Sequence, residues 1–473
     1  MKKYILINIL FSSIFANELV IAPIIYANYE SGGGTWNSVE KSIGVGGWGF
    51  TMEGYVDNFN ISMDAYNNRF FGLTDKPNYF SHEQGLSWVG NDPEGEQFDF
   101  DVTNIKLSYN YKTIVFEMGK YSRHWGPGNS SLILSSKVPS FAQFGFTWDI
   151  NSTINFEYFH GSLRSLIEDD INSGIYDGIG AEVPEYNRYV VGHRINWNLS
   201  ENLTIGATET IVYGVRNIDL LYLLPFAPFL SLQQYKGDLD NIQWSLDVDW
   251  YINDNHNLYF SFLMDEWDPS MTFDKPNRNW FGYQIGTNIK NTVFENDNFI
   301  LEYNWTDHRL YRHQNSINDY YSHGYPLGFW AGPHSQELYF NYTFNKFNST
   351  FSISYSNAKR GELTDQMLED QYDNIVYNRF SNISESLQIF KILMSKELNN
   401  GFEIHFGIGL IDWENGNFDP LYALDVGQTI DDYANSLIDV SKTSISIGFN
   451  YNFNIFTQSS KIDDDSMKKI ISF

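Results

Sequence analysis

NIQWSLDVDW, residues Asn241 to Trp250, alternates polar and apolar side chains without a fault. Successive side chains on an extended strand point to opposite faces. Ile242, Trp244, Leu246, Val248 and Trp250 therefore share one face, and Asn241, Gln243, Ser245, Asp247 and Asp249 share the other. SISIGFNYNF, Ser444 to Phe453, repeats the pattern, and Thr103, Ile105, Leu107 and Tyr109 interleave with Asn104, Lys106, Ser108 and Asn110. Strands of a soluble sandwich average about 5–6 residues. These runs are closer to the ~9–11 residues of a tilted strand that crosses a bilayer, with an apolar face for lipid and a polar face for a lumen. Tyr109, Tyr111, Trp250, Tyr283, Tyr451 and Phe453 fall near strand ends, where an interfacial aromatic girdle belongs.

The connections between such runs alternate in length. Short ones sit at Asp57-Asn58, Lys112, Asn151-Ser152, Asp254 to His256, Lys346 to Ser349 and Asn399 to Gly401. Long ones run from Phe71 to Gln97, His124 to Ser140, Arg164 to Asn187, Val215 to Asp240, Arg312 to Gln336, Glu362 to Ser386 and Glu414 to Lys442. Short periplasmic turns and long outside loops are the pattern of outer-membrane barrels, and no soluble fold requires it. Seventeen alternating segments can be read from Gly44 onward. The first hairpin turns at Asp57, so a further strand must precede it, and Glu18 to Glu30 is the candidate. The sequence thus predicts an all-β, transmembrane antiparallel β-barrel of about eighteen strands, an even number as single-chain bacterial barrels have.

The chain has 473 residues, 58 acidic against 30 basic, a net charge of −28 and no cysteine. Disulfides and Cys-ligated metals are excluded. Met1-Lys2-Lys3, the apolar run Tyr4 to Phe15 and the small residue at Ala16 read as a signal peptide. The expected division is a signal peptide at 1–16, a barrel at 17–453 and a C-terminal tail at 454–473.

Two long loops are oddly apolar. LLYLLPFAPFL, Leu220 to Leu230, cannot hang in water, and Pro225 and Pro228 bar a regular helix or central strand. Burying half of those side chains is worth on the order of 10 kcal/mol, at about 1.5–3 each. The nearest place to bury them is inward, across the barrel mouth. GYPLGFWAGP, Gly324 to Pro333, has the same character and ends in Gly332-Pro333. At Trp125-Gly126-Pro127-Gly128 a tight turn ends a strand, and the loop after it carries Leu132, Ile133, Leu134, Val138 and Phe141. These loops are expected to fold inward and occlude the lumen.

The stretches SRHWGPG with LILSSKVPSF, YLLPFAPF, Asp240-Asn241, Asp265 to Trp267, and YYSHGYPLGFWAGPHSQEL come in an order that resembles the capsule assembly Wzi family. The resemblance runs from about Tyr109 to Phe453. It implies an eighteen-stranded outer-membrane barrel with an occluded lumen. It also implies a surface lectin that holds capsular or extracellular polysaccharide on the cell. Implied partners are that polymer, outer-membrane lipids including lipopolysaccharide, and polysaccharide export machinery. Some members carry an N-terminal helical bundle, and no stretch before Gly44 here reads as one. A diffusion porin for small solutes is the alternative, with the apolar loops against it.

Nothing in the sequence reads as an enzyme, and nucleic acid is not an expected partner. There is no G-x-S-x-G elbow and no pair of histidines at metal spacing. Asp265 and Glu266 are adjacent on a strand, so they point apart. Asn91 to Glu96 could ligate Ca²⁺ but reads first as a solvated acidic loop, and no cofactor or metal is expected. The scarce basic residues are more informative. Arg123, Arg278, Arg309 and Arg312, with His124 and His323, fall at the loop ends of strands or in long loops, as do Trp125, Trp267, Trp280 and Trp330. Guanidinium groups suit planar anions, and aromatic faces give sugars a flat apolar surface. These ten residues are the expected polysaccharide contacts. The competing reading makes the arginines counter-charges to acidic lumen residues and the tryptophans plug core.

Overall fold

The computed structural model describes residues 18–32, 42–72, 80–87, 90–91, 97–173, 184–274, 277–364, 367, 378–399, 401–424, 427–453 and 456–459. The signal peptide expected at 1–16 lies outside the described residues, as does most of the acidic loop after Asn91.

Eighteen antiparallel strands form one closed barrel. In order they are Glu18–Ser31, Ser42–Val56, Phe59–Phe71, Gln97–Tyr111, Ile114–Tyr121, Phe141–Asp149, Ile154–Leu163, Arg188–Ser200, Leu203–Gly214, Asn241–Asn253, His256–Glu266, Trp280–Lys290, Asn298–Thr306, Ser335–Lys346, Ser349–Gly361, Ser384–Asn399, Phe402–Gly416 and Ile438–Asn452. Each pairs with the next, and the first closes on the last from Ile24↔Asn452 to Ser31↔Ile445. Pairing continues beyond the expected end of the barrel at 453. Phe456–Ser459 lie opposite Glu18–Ile21, because the first strand extends past Asn452 and offers its edge there. The short turns fall where the alternation placed them. At the two-residue turn between Lys346 and Ser349, Phe347 and Asn348 both take positive φ (55° and 51°), as a hairpin of matching twist requires.

Alternation becomes inside and outside. On Asn298–Thr306, Leu301 and Tyr303 are exposed while Glu302 and Asn304 are fully buried. On Asn241–Asn253, Leu246 and Trp250 are exposed while Gln243, Ser245 and Asp247 are buried. Ile195, Trp197, Ile285, Phe406, Ile408, Ile445 and Ile447 continue an exposed apolar band around the outer wall. The buried polar face lines the interior.

Three long loops meet at that interior face. Leu132, Ile133, Leu134 and Val138 are buried with Leu310, Tyr311, Tyr320, Leu327, Phe329 and Trp330 in one apolar cluster. Its polar seams are closed. Ser135 N donates to Leu327 O (2.7 Å) and Ser135 Oγ to Gly328 O (2.6 Å). The hydroxyls of Tyr311 and Tyr320 donate to Leu132 O and Ile133 O (2.5 and 2.8 Å). Glu302 on the wall accepts from Asn129 N and Ser130 N (2.8 and 3.1 Å). Gly128 makes this approach possible, because a Cβ there would lie 2.6 Å from both Gln284 Nε2 and Glu302 Oε2. Lys137 donates to Ser81 O and Glu83 O (both 2.7 Å), tying in the loop before Gln97, and burial pulls its amine down to about 7.

Leu220 to Leu230 goes elsewhere, and the expectation of an inward fold is corrected. Tyr222, Phe229 and Leu232 are buried against Phe156, Tyr158, Val191, Ile211, Tyr213 and Ile242. Those strand residues share the face of Glu209, which stands opposite His193 and Trp244 in register. Thr208 and Thr210, on the other face, line the interior, where Thr210 Oγ1 meets the Tyr320 hydroxyl (3.0 Å). The segment therefore lies down the outside of the barrel. Pro225 and Pro228 belong to this outer-wall loop, Pro228 capping the short helix Phe229–Gln234. Composition demanded an apolar surface, and the outer wall offers one as good as the lumen does.

Candidate ligand site at the loop end of the barrel

The ten expected contact residues separate into several places. Arg123 is buried, with Nε on Gln143 Oε1 (2.8 Å) and Nη2 on Glu117 and on the Tyr121 hydroxyl (3.0 and 2.9 Å). Trp125 beside it is buried edge-on to Phe159, and its Nε1 donates to Glu157 (2.9 Å). Arg309 forks onto Asp307 and donates to Asn277 O (2.7 Å). Arg312 pairs with Asp319 (3.2 Å) and donates to Leu363 O (3.3 Å). Trp330 is buried on Phe80 and donates to Glu337 (2.8 Å). The expectation that these five face solvent is corrected. In an acidic protein, each scarce guanidinium is drawn to a carboxylate that needs neutralising inside.

His124 is exposed and shares a hydrogen bond with Gly128 O (3.2 Å). His323, held at φ +56°, meets Ser322 Oγ (2.9 Å). Burial, with Arg164 adding, pulls His323 down to about 4, so it is neutral at pH 7 and offers an anion no charge. Ser322 is fully buried, so this Ser–His contact is not a nucleophile open to substrate.

One group does come together at the surface. Where the strand His256–Glu266 ends, Glu266 accepts from Arg278 Nη1 (2.9 Å), and the next residue, Trp267, is 47 % exposed. The connecting loop is cross-braced. Asp268 caps a 3-10 turn through Ser270 N and Oγ (2.9 and 2.7 Å), hydrogen bonds that hold its carboxyl below the usual range. Trp267 Nε1 donates to Thr272 Oγ1 (2.8 Å), and Asn279 Nδ2 to Thr272 O (2.7 Å). Beneath lies buried Trp280, with the Arg309 guanidinium 5.6 Å from its ring centre. Four of the ten residues thus share one corner. Trp267 and Arg278 are its surface, and Trp280 and Arg309 are its floor. Phe273, wholly exposed on the same loop, is a neighbour that sequence reasoning missed, because a lone Phe between Thr272 and Asp274 carries no periodic signal. On one short loop, an exposed indole can stack on a sugar ring, and a partly exposed guanidinium can hydrogen-bond its hydroxyls or an acidic substituent.

Among the described residues, no group of three or more His, Cys, Asp or Glu side chains could hold a metal ion. The family model for capsule assembly protein Wzi matches residues 51–421. No curated protein matches the chain in sequence. Among solved structures, the Escherichia coli outer-membrane protein Wzi, described as involved in group 1 capsule assembly and as a carbohydrate-binding β-barrel, aligns with a TM-score of 0.56 at 13 % identity, over 95 % of this chain and 87 % of that one. OccAB3 of Acinetobacter baumannii aligns at a TM-score of 0.46 and 10 % identity, over 92 % of this chain and 99 % of that one. OprD of Pseudomonas aeruginosa gives 0.46 and 11 %, over 93 % and 96 %.

Proposed function

The chain belongs to the capsule assembly protein Wzi family, and from that premise we propose that it is an outer-membrane barrel that holds capsular polysaccharide on the cell surface. In this reading the long loops face outside, the short turns face the periplasm, and the inward loops close the lumen to solutes. Binding, not catalysis, is the activity. Family membership supports the capsule role, and carbohydrate binding by the E. coli protein of the same fold supports the ligand class. The observation that carries the reading for this chain is the braced loop that carries exposed Trp267 and the partly exposed Arg278–Glu266 ion pair. A net charge of −28 repels an anionic chain at long range, but that field is screened over about 8 Å in physiological salt. Short-range contacts then decide, each worth roughly 1–3 kcal/mol. A polymer repeats one epitope, so weak sites on neighbouring barrels add by avidity.

Replacing Trp267→Ala and Arg278→Gln together is expected to release polymer into the medium, with barrel insertion and total polymer synthesis unchanged. Quantifying cell-bound against shed polymer checks this. If the double variant keeps as much surface polymer as the parent, this corner is not the binding site.

A further inference from the structure

We infer that Leu220–Gln234 is seated in the hydrocarbon of the surrounding bilayer and is latched to the barrel wall by Glu209. Glu209 is an anomaly. It stands on the outward face of its strand, in series with Ile205, Ala207, Ile211 and Tyr213. An unpaired carboxylate facing lipid is strongly unfavourable. Here the loop covers it. Glu209 accepts from Phe229 N (2.8 Å) and Leu230 N (3.2 Å) at the start of the short helix, and from Trp244 Nε1 (3.1 Å), with His193 Nε2 at 3.0 Å. The carboxylate is satisfied by the loop's own backbone.

The outer side of the loop is then a second lipid face. From Leu220 to Tyr235 there is no charged residue. Leu220, Leu224, Phe226 and Leu230 are exposed, Phe226 at 62 %. Phe226 also packs on the wall residues Phe156 (4.8 Å) and Trp148 (6.2 Å). This surface is continuous with the exposed apolar band at Ile195, Trp197 and Leu246. Charges gather only at the loop's two ends, where Arg216 bonds Asp240 and Lys236 bonds Asp219 (3.0 Å). Acyl chains are the occupant such a surface fits, with the ionic ends at the headgroup boundary.

The inference rests on the membrane reading of the barrel, and the test separates the two. The chain has no cysteine, so single nitroxide labels are clean. Labels at Phe226→Cys, Ile447→Cys on the outer wall and Asn348→Cys in a short turn are compared in vesicles of phosphatidylethanolamine and phosphatidylglycerol. The readout is relaxation by oxygen against a polar nickel chelate. The oxygen-to-nickel ratio at 226 is expected to match that at 447 and to exceed that at 348 by roughly tenfold, because hydrocarbon excludes polar solutes. In a Glu209→Ala background the 226 label is expected to lose that advantage. A nickel-accessible 226 beside a lipid-embedded 447 overturns the seating. An embedded 226 that Glu209→Ala leaves in place overturns the latch. A nickel-accessible 447 overturns the barrel reading itself. Should the 226 label disturb folding, Leu224→Cys, exposed in the middle of the same segment, gives the same reading.

Discussion

In a planar bilayer the purified protein is expected to carry almost no ion current, and a variant lacking Asn129 to Lys137 is expected to conduct steadily. A barrel of 16–18 strands leaves an aqueous channel unless something fills it. Here the loop after Trp125 leaves the wall between Tyr121 and Phe141 and reaches Gln284 and Glu302 on distant strands. Leu132, Ile133, Leu134 and Val138 are buried with it. At about 1.5–3 kcal/mol for each such side chain, roughly 6–12 kcal/mol opposes its withdrawal. The closed arrangement should therefore persist without gating. A large, steady conductance in the parent protein would return the porin reading. A deletion variant that still migrates as a folded barrel yet stays silent would place the seal in the other loops.

Replacing Arg194→Gln is expected to lower stability by about 3–5 kcal/mol, the usual cost of leaving one member of a buried ion pair alone. Arg194 forks onto Asp247 (2.6 and 2.7 Å) across the interior wall and also reaches Thr208 Oγ1 (3.0 Å) and Asn196 Oδ1 (2.7 Å). Both side chains of the pair are almost fully buried. Gly206 lies beneath them, and a Cβ there would come within 2.6 Å of the Asp247 carboxylate. The double variant Arg194→Leu with Asp247→Leu should recover much of the loss, since no orphan charge remains. Urea unfolding of the detergent-folded barrel measures both. A loss below about 1 kcal/mol for Arg194→Gln would mean that water in the lumen already screens the pair.

The strands were legible because a barrel wall separates two solvents, and that separation writes itself as period two. Even Glu18–Ser31, whose alternation is poor, followed from the turn at Asp57 and the need for closure. Burial of the Gly324 to Pro333 segment was legible from composition. The wall on which Leu220 to Leu230 lies was not, since an apolar segment fits a lipid-facing wall as well as an interior. The clue was present in Glu209, a carboxylate on the apolar register of its strand. The arginines were misread for a related reason. Arg123, Arg309 and Arg312 each have a carboxylate within seven positions, at Glu117, Asp307 and Asp319, and Arg123 also approaches Glu157 across the sheet. Position at the loop end of a strand does not tell whether a side chain turns inward or out. Trp267 and Arg278 remain because Trp267 is bonded within its own loop, to Thr272, and Arg278 pairs with Glu266 at the strand end.

Titrating the purified barrel in lipid nanodiscs with capsular polysaccharide from the same cells tests the central claim most directly. The parent is expected to bind saturably, and Trp267→Ala with Arg278→Gln to bind at least about tenfold more weakly, a difference of about 1.4 kcal/mol. A parent barrel that binds no polymer, or a double variant that binds it as tightly, would contradict the proposal.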